Sequence, residues 1–164
     1  MVRDNNPNYG IDNLFQCEAT QSTGAVTVLL TARDQSFGHL ALVVHEDQNL
    51  FLPADLDTEH FVSFWPEANV TGAIITGTKA KYDGFGNKLK HVTQVTTLHN
   101  ADTDAMIKKW QSIKDNNQMF DIIEWNCART VMEVLREGYP SCDFPIHKLM
   151  TPDQAFAYIE QVHV

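Results

Sequence analysis

Apolar residues in the first half of the chain follow the two-residue repeats of β-strands. The run AVTVLLTAR at 25–33 is rich in β-branched residues and predicts a strand. The run FGHLALVVH at 37–45 is apolar on both faces of its repeat, which is typical of a central strand covered on both sides. Turns are predicted at 46–49 and 81–88. Further strands are predicted at 49–53, 60–66, 72–78 and 90–99.

Beyond residue 102 the apolar repeat becomes that of amphipathic helices. The first helix is predicted to start at the capping candidates Asp102 and Thr103 and to stop at Asn116 and Asn117. The segment MFDIIEW at 119–125 is predicted to be extended and leads to the next helix. The apolar face of the first helix consists of Met106, Ile107, Trp110 and Ile113.

Two more helices are predicted near the end of the chain. One begins at Asn126 and Cys127 and is closed by Gly138. The last begins at the cap Thr151, with a proline in its first position and Gln154 as the partner in a capping box. The apolar face of the first of these two consists of Val131, Met132, Val134 and Leu135.

This order of elements, strands first and helices last, predicts one α+β domain over residues 1–164, in which an antiparallel sheet packs against helices. Its parts are an irregular N-terminal segment (1–24), a strand-rich part (25–99) and a helix-rich part (100–164) that carries Cys127. A chain of 164 residues is long enough for one core and too short for two domains of ordinary size.

Composition and charge exclude several classes of protein. The chain is 43% hydrophobic and 20% charged, as in soluble globular proteins. Its net charge of -9 argues against binding to nucleic-acid phosphates, which requires a concentrated basic surface. No apolar stretch approaches the roughly 20 residues that span a bilayer, and the start MVRDNNPNYG is too polar for a secretory signal. We therefore expect a soluble protein with no nucleic-acid partner and no transmembrane segment.

Three cysteines, Cys17, Cys127 and Cys142, are spread widely along the chain. They form no CxxC pair, and cysteines and histidines do not recur at the spacing of metal ligands. We therefore predict neither a metal site nor a cofactor. An odd number of thiols leaves at least one free, which favours a reducing compartment, while one disulfide stays open as an alternative.

Cys127 has the sequence context of a reactive thiol. A helix that begins at or just before Cys127 directs its unpaired N–H groups and positive dipole end at the sulfur, which favours the thiolate. The same N–H groups could hold an oxyanion during acyl transfer, and the small Ala128 would leave the sulfur open to a substrate. The alternative is a structural role, because free cysteine is among the residues most often buried.

A cysteine nucleophile generally needs an imidazole within hydrogen-bonding reach. Of the seven histidines, His39 is the best candidate, because it opens a strand that is otherwise buried and follows a glycine. A purely structural role for His39 stays open. Between His39 and Cys127, Trp65 either lines the cleft or fills the core, and its apolar neighbours in sequence favour the core.

Three motifs occur in a fixed order: GHLALVV, then HFVSFWP, then WNCARTVMEVLREG. Together they resemble the circularly permuted papain-like cysteine hydrolases, the group of lecithin:retinol acyltransferase and the permuted NlpC-type peptidases, over roughly residues 37–160. The chain also resembles bacterial secreted effectors of that fold, in which a strand ending in SFWP lies between the histidine and the cysteine and a final helix begins TPxx.

The resemblance implies a role for individual residues. Cys127 would be the nucleophile, and His39 the base that deprotonates it and later protonates the leaving group. In the acyltransferase branch a second histidine lies on the next strand, and alignment of the prolines puts Ser63 at that position here. Because a serine orients an imidazole but supplies no negative charge, Glu59 and His60 stay alternatives for the third catalytic residue.

The function implied by the resemblance is that of a cysteine peptidase or amidase that acts through an acyl-enzyme thioester. One alternative is an acyltransferase or lipid deacylase with the same Cys–His pair. Another is a catalytically silent protein-binding domain of this fold, with an acidic surface suited to a protein partner. The implied partners are a peptide, protein or lipid acyl substrate and, for a secreted effector, an immunity or adaptor protein. The implied location is synthesis in the cytoplasm followed by Sec-independent secretion.

Overall fold

The computed structural model describes residues 17, 22–31, 38–47, 50, 58–66, 77–82, 91–162 and 164. Within these residues the chain is α+β, with an antiparallel sheet and helices packed against it. The fold class predicted from the order of strands and helices is therefore confirmed at this level.

A four-stranded antiparallel sheet organises the structure. Its strands are β1 (Gly24–Thr31), β2 (His39–His45), β3 (Phe61–Val62) and β6 (Gln94–Ala101), in the spatial order β3-β2-β1-β6. A second antiparallel pair consists of β4 (Trp65–Pro66) and β5 (Ala80–Lys81). β1 and β2 hold the two inner positions of the larger sheet, which explains why their side chains are apolar on both faces.

Three helices follow in the described part of the chain: α1 (Thr103–Asp115), α2 (Cys127–Gly138) and α3 (Pro152–Ile159). The side chain of Asp102 caps α1 by accepting from the Ala105 N–H at 3.2 Å. Thr151 and Gln154 form the predicted capping box at the start of α3. Such caps satisfy backbone donors that a helix leaves unpaired, and each is worth about 1 kcal/mol. None of the described helices is long and apolar enough to cross a bilayer.

The core lies between one face of the sheet and the helices. Val28 of β1 and Leu40 of β2 share this core with Trp110 of α1 and Leu135 of α2, and all four are buried. The opposite face of the sheet carries a smaller cluster formed by Leu29, Ala41, Val43 and Phe61. Full burial of one such side chain contributes about 1.5–3 kcal/mol, so the helix face, with many more buried side chains, supplies most of the hydrophobic stabilisation.

Gly138 ends α2 for a reason that differs from the predicted one. It is the last residue of the helix, and Tyr139 occupies the C-cap position. A Cβ at Gly138 would overlap the side chain of Met106. The glycine therefore permits close packing of α2 against α1, rather than a left-handed helix end.

The predicted strand at 60–66 is broken, which corrects the sequence interpretation. β3 ends at Val62, and Trp65 and Pro66 pair instead with β5 in the other sheet. Ser63 and Phe64 are buried between the two strands. A two-residue repeat in the sequence looks the same whether it runs through one strand or through two. The repeat does not show which neighbouring strand each residue pairs with.

The predicted extended segment at 119–125 is only partly correct: Phe120 forms an antiparallel bridge with Thr78, but the chain makes a tight turn at 122–124. Asp121 and Trp125 exchange backbone hydrogen bonds of 2.9 and 2.8 Å. The Asp121 carboxylate accepts from the N–H groups of Ile123 and Glu124 at 2.9 and 3.0 Å, and such bonds favour a turn over an extended chain.

Some predicted elements fall on residues that are not described. The strand predicted at 49–53 lies outside the described residues apart from Leu50, and the strand predicted at 72–78 apart from Gly77 and Thr78. Most residues of the turns predicted at 46–49 and 81–88 also lie outside the described residues. Of those that are described, Glu46 and Asp47 form a bend.

Cys17 and Cys142 form a disulfide across a sequence separation of 125 residues. This is the alternative that the sequence left open. The remaining cysteine, Cys127, is a free and buried thiol, as the odd number of cysteines requires.

Candidate active site

Asn126 anchors the start of α2 from three directions. Its side-chain oxygen accepts from the Arg129 N–H at 3.0 Å, as an N-cap does. Its amide group donates to the carbonyls of Ile122 and Met150, at 3.2 and 2.7 Å. The side chain is only 2% exposed. These three hydrogen bonds of Asn126 therefore fix the position of the next residue, Cys127.

The Cys127 sulfur lies in a buried environment. The residue is 3% exposed and Ala128 is fully buried, so the prediction that Ala128 leaves the sulfur open to a substrate is wrong. Burial raises the pKa of the Cys127 thiol to about 11, while the backbone N–H groups of Leu40, Ala128 and Cys127 itself act to lower it. The helix start thus has the predicted direction of effect, but loss of hydration outweighs it.

The N–H of Leu40 reaches the sulfur because β3 separates from β2 at this level. Val44 donates to the His60 carbonyl at 2.8 Å, and Leu42 pairs with Val62. Every second N–H of an antiparallel strand points to the same side, so the Leu40 N–H points there too. The β2–β3 ladder ends at Leu42 and Val62, and the Leu40 N–H bonds to the Cys127 sulfur instead of to β3. Cys127 is thereby placed beside the backbone of the residue that follows His39.

His39 begins β2 directly after Gly38, whose φ of 87° is the left-handed conformation that favours glycine. The imidazole is 6% exposed, and its Nε2 lies 3.0 Å from the Ser63 Oγ. A buried polar ring of this kind requires a hydrogen-bonding partner. Ser63 is 1% exposed and provides it.

Trp65 holds both of these side chains in place. Its indole N–H donates to the Ser63 Oγ at 2.8 Å. Its ring stacks on the imidazole of His39, with 3.5 Å between ring centroids and 12° between ring planes. The favoured core role for Trp65 is therefore wrong, and the alternative fits: Trp65 contacts the candidate base and lines the pocket beside it. Only the two-residue spacing from Ser63 in the same run could have indicated this.

The two alternatives to Ser63 point elsewhere. His60 pairs through Nε2 with the Glu46 carboxylate at 3.2 Å, on the surface. Glu59 is exposed. Of the three candidates for a third residue, Ser63 is the one that the structure hydrogen-bonds to His39.

A pocket of about 300 Å³ opens on the sheet face opposite the helices, and His39 and Ser63 line it. Its volume is at the small end of the range for ligand sites. Among the described residues no group of three His, Cys, Asp or Glu side chains is arranged to hold a metal ion. The remaining described residues lining the pocket are Leu29, Thr31, Ala41, Phe61, Trp65, His91 and Val92.

Comparison with protein-family models, with curated proteins and with solved structures found no match to this chain. What the site can do is therefore argued from its own geometry and chemistry.

Proposed function

We propose that this domain is a cysteine hydrolase, of peptidase or amidase type, in which Cys127 is the nucleophile and His39 the general base. The observation that carries the proposal is the placement of the His39 ring. It is held on its edge by Ser63 and on its face by Trp65, at the end of the strand whose Leu40 N–H meets the Cys127 sulfur.

In the proposed reaction the imidazole takes the thiol proton as the sulfur attacks the carbonyl carbon of the substrate. The reaction requires the tautomer in which the His39 Nε2–H donates to the Ser63 Oγ, so that the unprotonated Nδ1 takes the thiol proton. The backbone N–H groups around the sulfur are the candidates for stabilising the oxyanion. The imidazolium then protonates the leaving group, which leaves a thioester on Cys127. Water, deprotonated by the same imidazole, hydrolyses that thioester and restores the thiol.

Ser63 acts in this scheme as a positioning residue. Its hydroxyl accepts from the Trp65 indole and bonds to His39 Nε2, which limits rotation of the imidazole. It supplies no negative charge, so stabilisation of the imidazolium depends on the hydrogen bond and on the stacked indole, whose π face attracts a cation.

The raised pKa of Cys127 is consistent with a thiol that is neutral until its proton moves to His39. A resting thiolate would be costly in a site that is 3% exposed. In the proposed step, transfer of the proton to the His39 imidazole would replace an isolated buried charge with a pair of opposite charges, which is less costly.

The second candidate is an acyltransferase or lipid deacylase that uses the same pair of residues. The observation that favours it is the pocket beside His39, whose walls include the apolar side chains of Leu29, Phe61 and Val92. An amine or alcohol in place of water would then accept the acyl group.

Intact-protein mass spectrometry tests the shared chemistry. Wild type, His39→Ala and the matched control His60→Ala are incubated with an activated ester, a peptide panel and phospholipid vesicles. We expect an acyl adduct on Cys127 in wild type and in His60→Ala, and a large loss of adduct in His39→Ala. Adduct from peptides favours the amidase, whereas adduct from phospholipid favours the deacylase.

Two outcomes contradict the proposal. Adduct formation at an unchanged rate in His39→Ala would remove the base from the mechanism. Failure of every acyl donor to modify Cys127, in a folded protein, would support the silent binding domain instead.

A further inference from the structure

The pocket on the outer face of the sheet has a polar end and an apolar end. Thr31 and His39 lie opposite each other on β1 and β2, and Leu29 and Ala41 form the next such pair on the same face. Two residues along a strand span about 7 Å. The pocket therefore runs from the candidate base toward an apolar floor.

The floor offers no backbone groups to a ligand. Leu29 and Ala41 belong to the two inner strands, whose N–H and C=O groups are used in the ladders of the sheet. A peptide buried there would lose water from its own N–H and C=O groups without gaining partners, at a cost of about 1–3 kcal/mol for each such group in proteins. An aliphatic chain carries no such cost.

We propose that this pocket is the subsite for an aliphatic acyl chain on the carbonyl side of the cleaved bond, with Ala41 setting its depth. The assignment rests on the proposed thioester chemistry, since the chain would pass His39 as it leaves the carbon bonded to Cys127. A volume of about 300 Å³ accommodates roughly ten groups of water-like size, at ~30 Å³ each.

Ala41 is the residue that makes room. It is buried, and it lies between Leu29 on the paired strand and the pocket wall that carries Phe61 and Ser63. A leucine at this position would occupy the space of about three carbon groups of the bound chain. The exposed Ala157 on α3, which packs on the other side of the sheet, is the matched site for a control leucine.

The test is a series of p-nitrophenyl esters from acetyl to dodecanoyl, with acylation of Cys127 followed by intact mass in wild type, Ala41→Leu and Ala157→Leu. We expect the second-order rate constant in wild type to rise about 2- to 4-fold per added methylene up to roughly eight carbons, and then to level off. Ala41→Leu should lose about tenfold or more with octanoyl ester but little with acetyl ester. Ala157→Leu should match wild type.

The outcomes separate this inference from the proposed function. If the acylation rate does not depend on chain length, or if the two leucine variants have equal effects, the acyl-chain subsite is overturned. Acylation by the acetyl ester would still support Cys127 as the nucleophile. A preference for N-acetyl-leucyl ester over octanoyl ester also overturns it, since the pocket would then hold a peptide side chain. No acylation by any ester overturns both. The acetyl arm and thermal unfolding show whether Ala41→Leu is folded, and Ala41→Gly, which should extend the plateau to longer chains, is a second variant.

Discussion

Alkylation of Cys127 across a range of pH tests whether His39 takes the thiol proton. The perturbation is His39→Gln, because an amide can keep a hydrogen bond to Ser63 but cannot act as a base near neutral pH. The matched control is His60→Gln, since the His60 ring pairs with the Glu46 carboxylate at the surface. Cys17 and Cys142 are joined in a disulfide, so under non-reducing conditions Cys127 is the thiol that iodoacetamide can alkylate.

The expected magnitude follows from the pKa of the thiol. With a pKa of about 11 from burial, roughly one sulfur in 10⁴ is thiolate at pH 7. If transfer to His39 leaves about half of the sulfur as thiolate at pH 7, the thiolate fraction rises about 5,000-fold. A thiolate of lower pKa is less nucleophilic, with a Brønsted coefficient of about 0.4–0.5, which removes roughly 40- to 100-fold over four pKa units. The net expectation is alkylation about 50- to 125-fold faster in wild type than in His39→Gln at pH 7.

Intact mass after timed exposure to iodoacetamide between pH 5 and pH 10 provides the rates. A rapid opening equilibrium that admits the reagent to a site that is 3% exposed lowers both rates by the same factor and cancels in the ratio, provided that both rates are proportional to the iodoacetamide concentration. We expect a plateau between pH 6 and 8 in wild type and in His60→Gln. The reasoning is refuted if the wild-type rate instead climbs steadily through pH 10 and coincides with that of His39→Gln.

Three further predictions concern the surroundings of the site. Trp65→Phe, which keeps a stacked ring but loses the indole N–H, should slow alkylation of Cys127 at neutral pH by about 2- to 10-fold. Trp65→Leu should slow it further. If the pH profiles of both variants match wild type, the Trp65 ring has no role beyond packing. Replacement of both Cys17 and Cys142 by serine should lower the free energy of unfolding by about 2–5 kcal/mol, measured by urea denaturation, with dithiothreitol destabilising wild type but not the variant. Burial lowers the pKa of His45 despite the opposing charge of Asp47, so the unfolded chain binds the proton more readily. Stability should therefore fall as pH drops below about 6.5, less steeply in His45→Gln, and an identical slope in both proteins would contradict this.

Local features of the fold were predicted well because they depend on neighbours in sequence. The caps at Asp102, Asn126 and Thr151 each act on an N–H three residues away. The inner position of β2 could be predicted because a strand that is buried on both faces has apolar residues at both its odd and its even positions. The fold class followed from the order of such elements.

The residues of the candidate site could be predicted from the sequence to different degrees. Cys127 and His39 were found because each stands at the start of a recognisable element. The choice of Ser63 over Glu59 and His60 depended on where the chain leaves β3, which an alternating pattern does not reveal.

The amino-acid sequence alone was sufficient for the placement of Cys127 at a helix start and of His39 at the opening of a buried strand, since both follow from short-range periodicity and capping. The tertiary structure decided the burial that raises the thiol pKa, the stacking of Trp65 on His39, and the pairing of Cys17 with Cys142. Each of these depends on contacts between elements distant in sequence, and desolvation and ring geometry are properties of those contacts rather than of any local pattern.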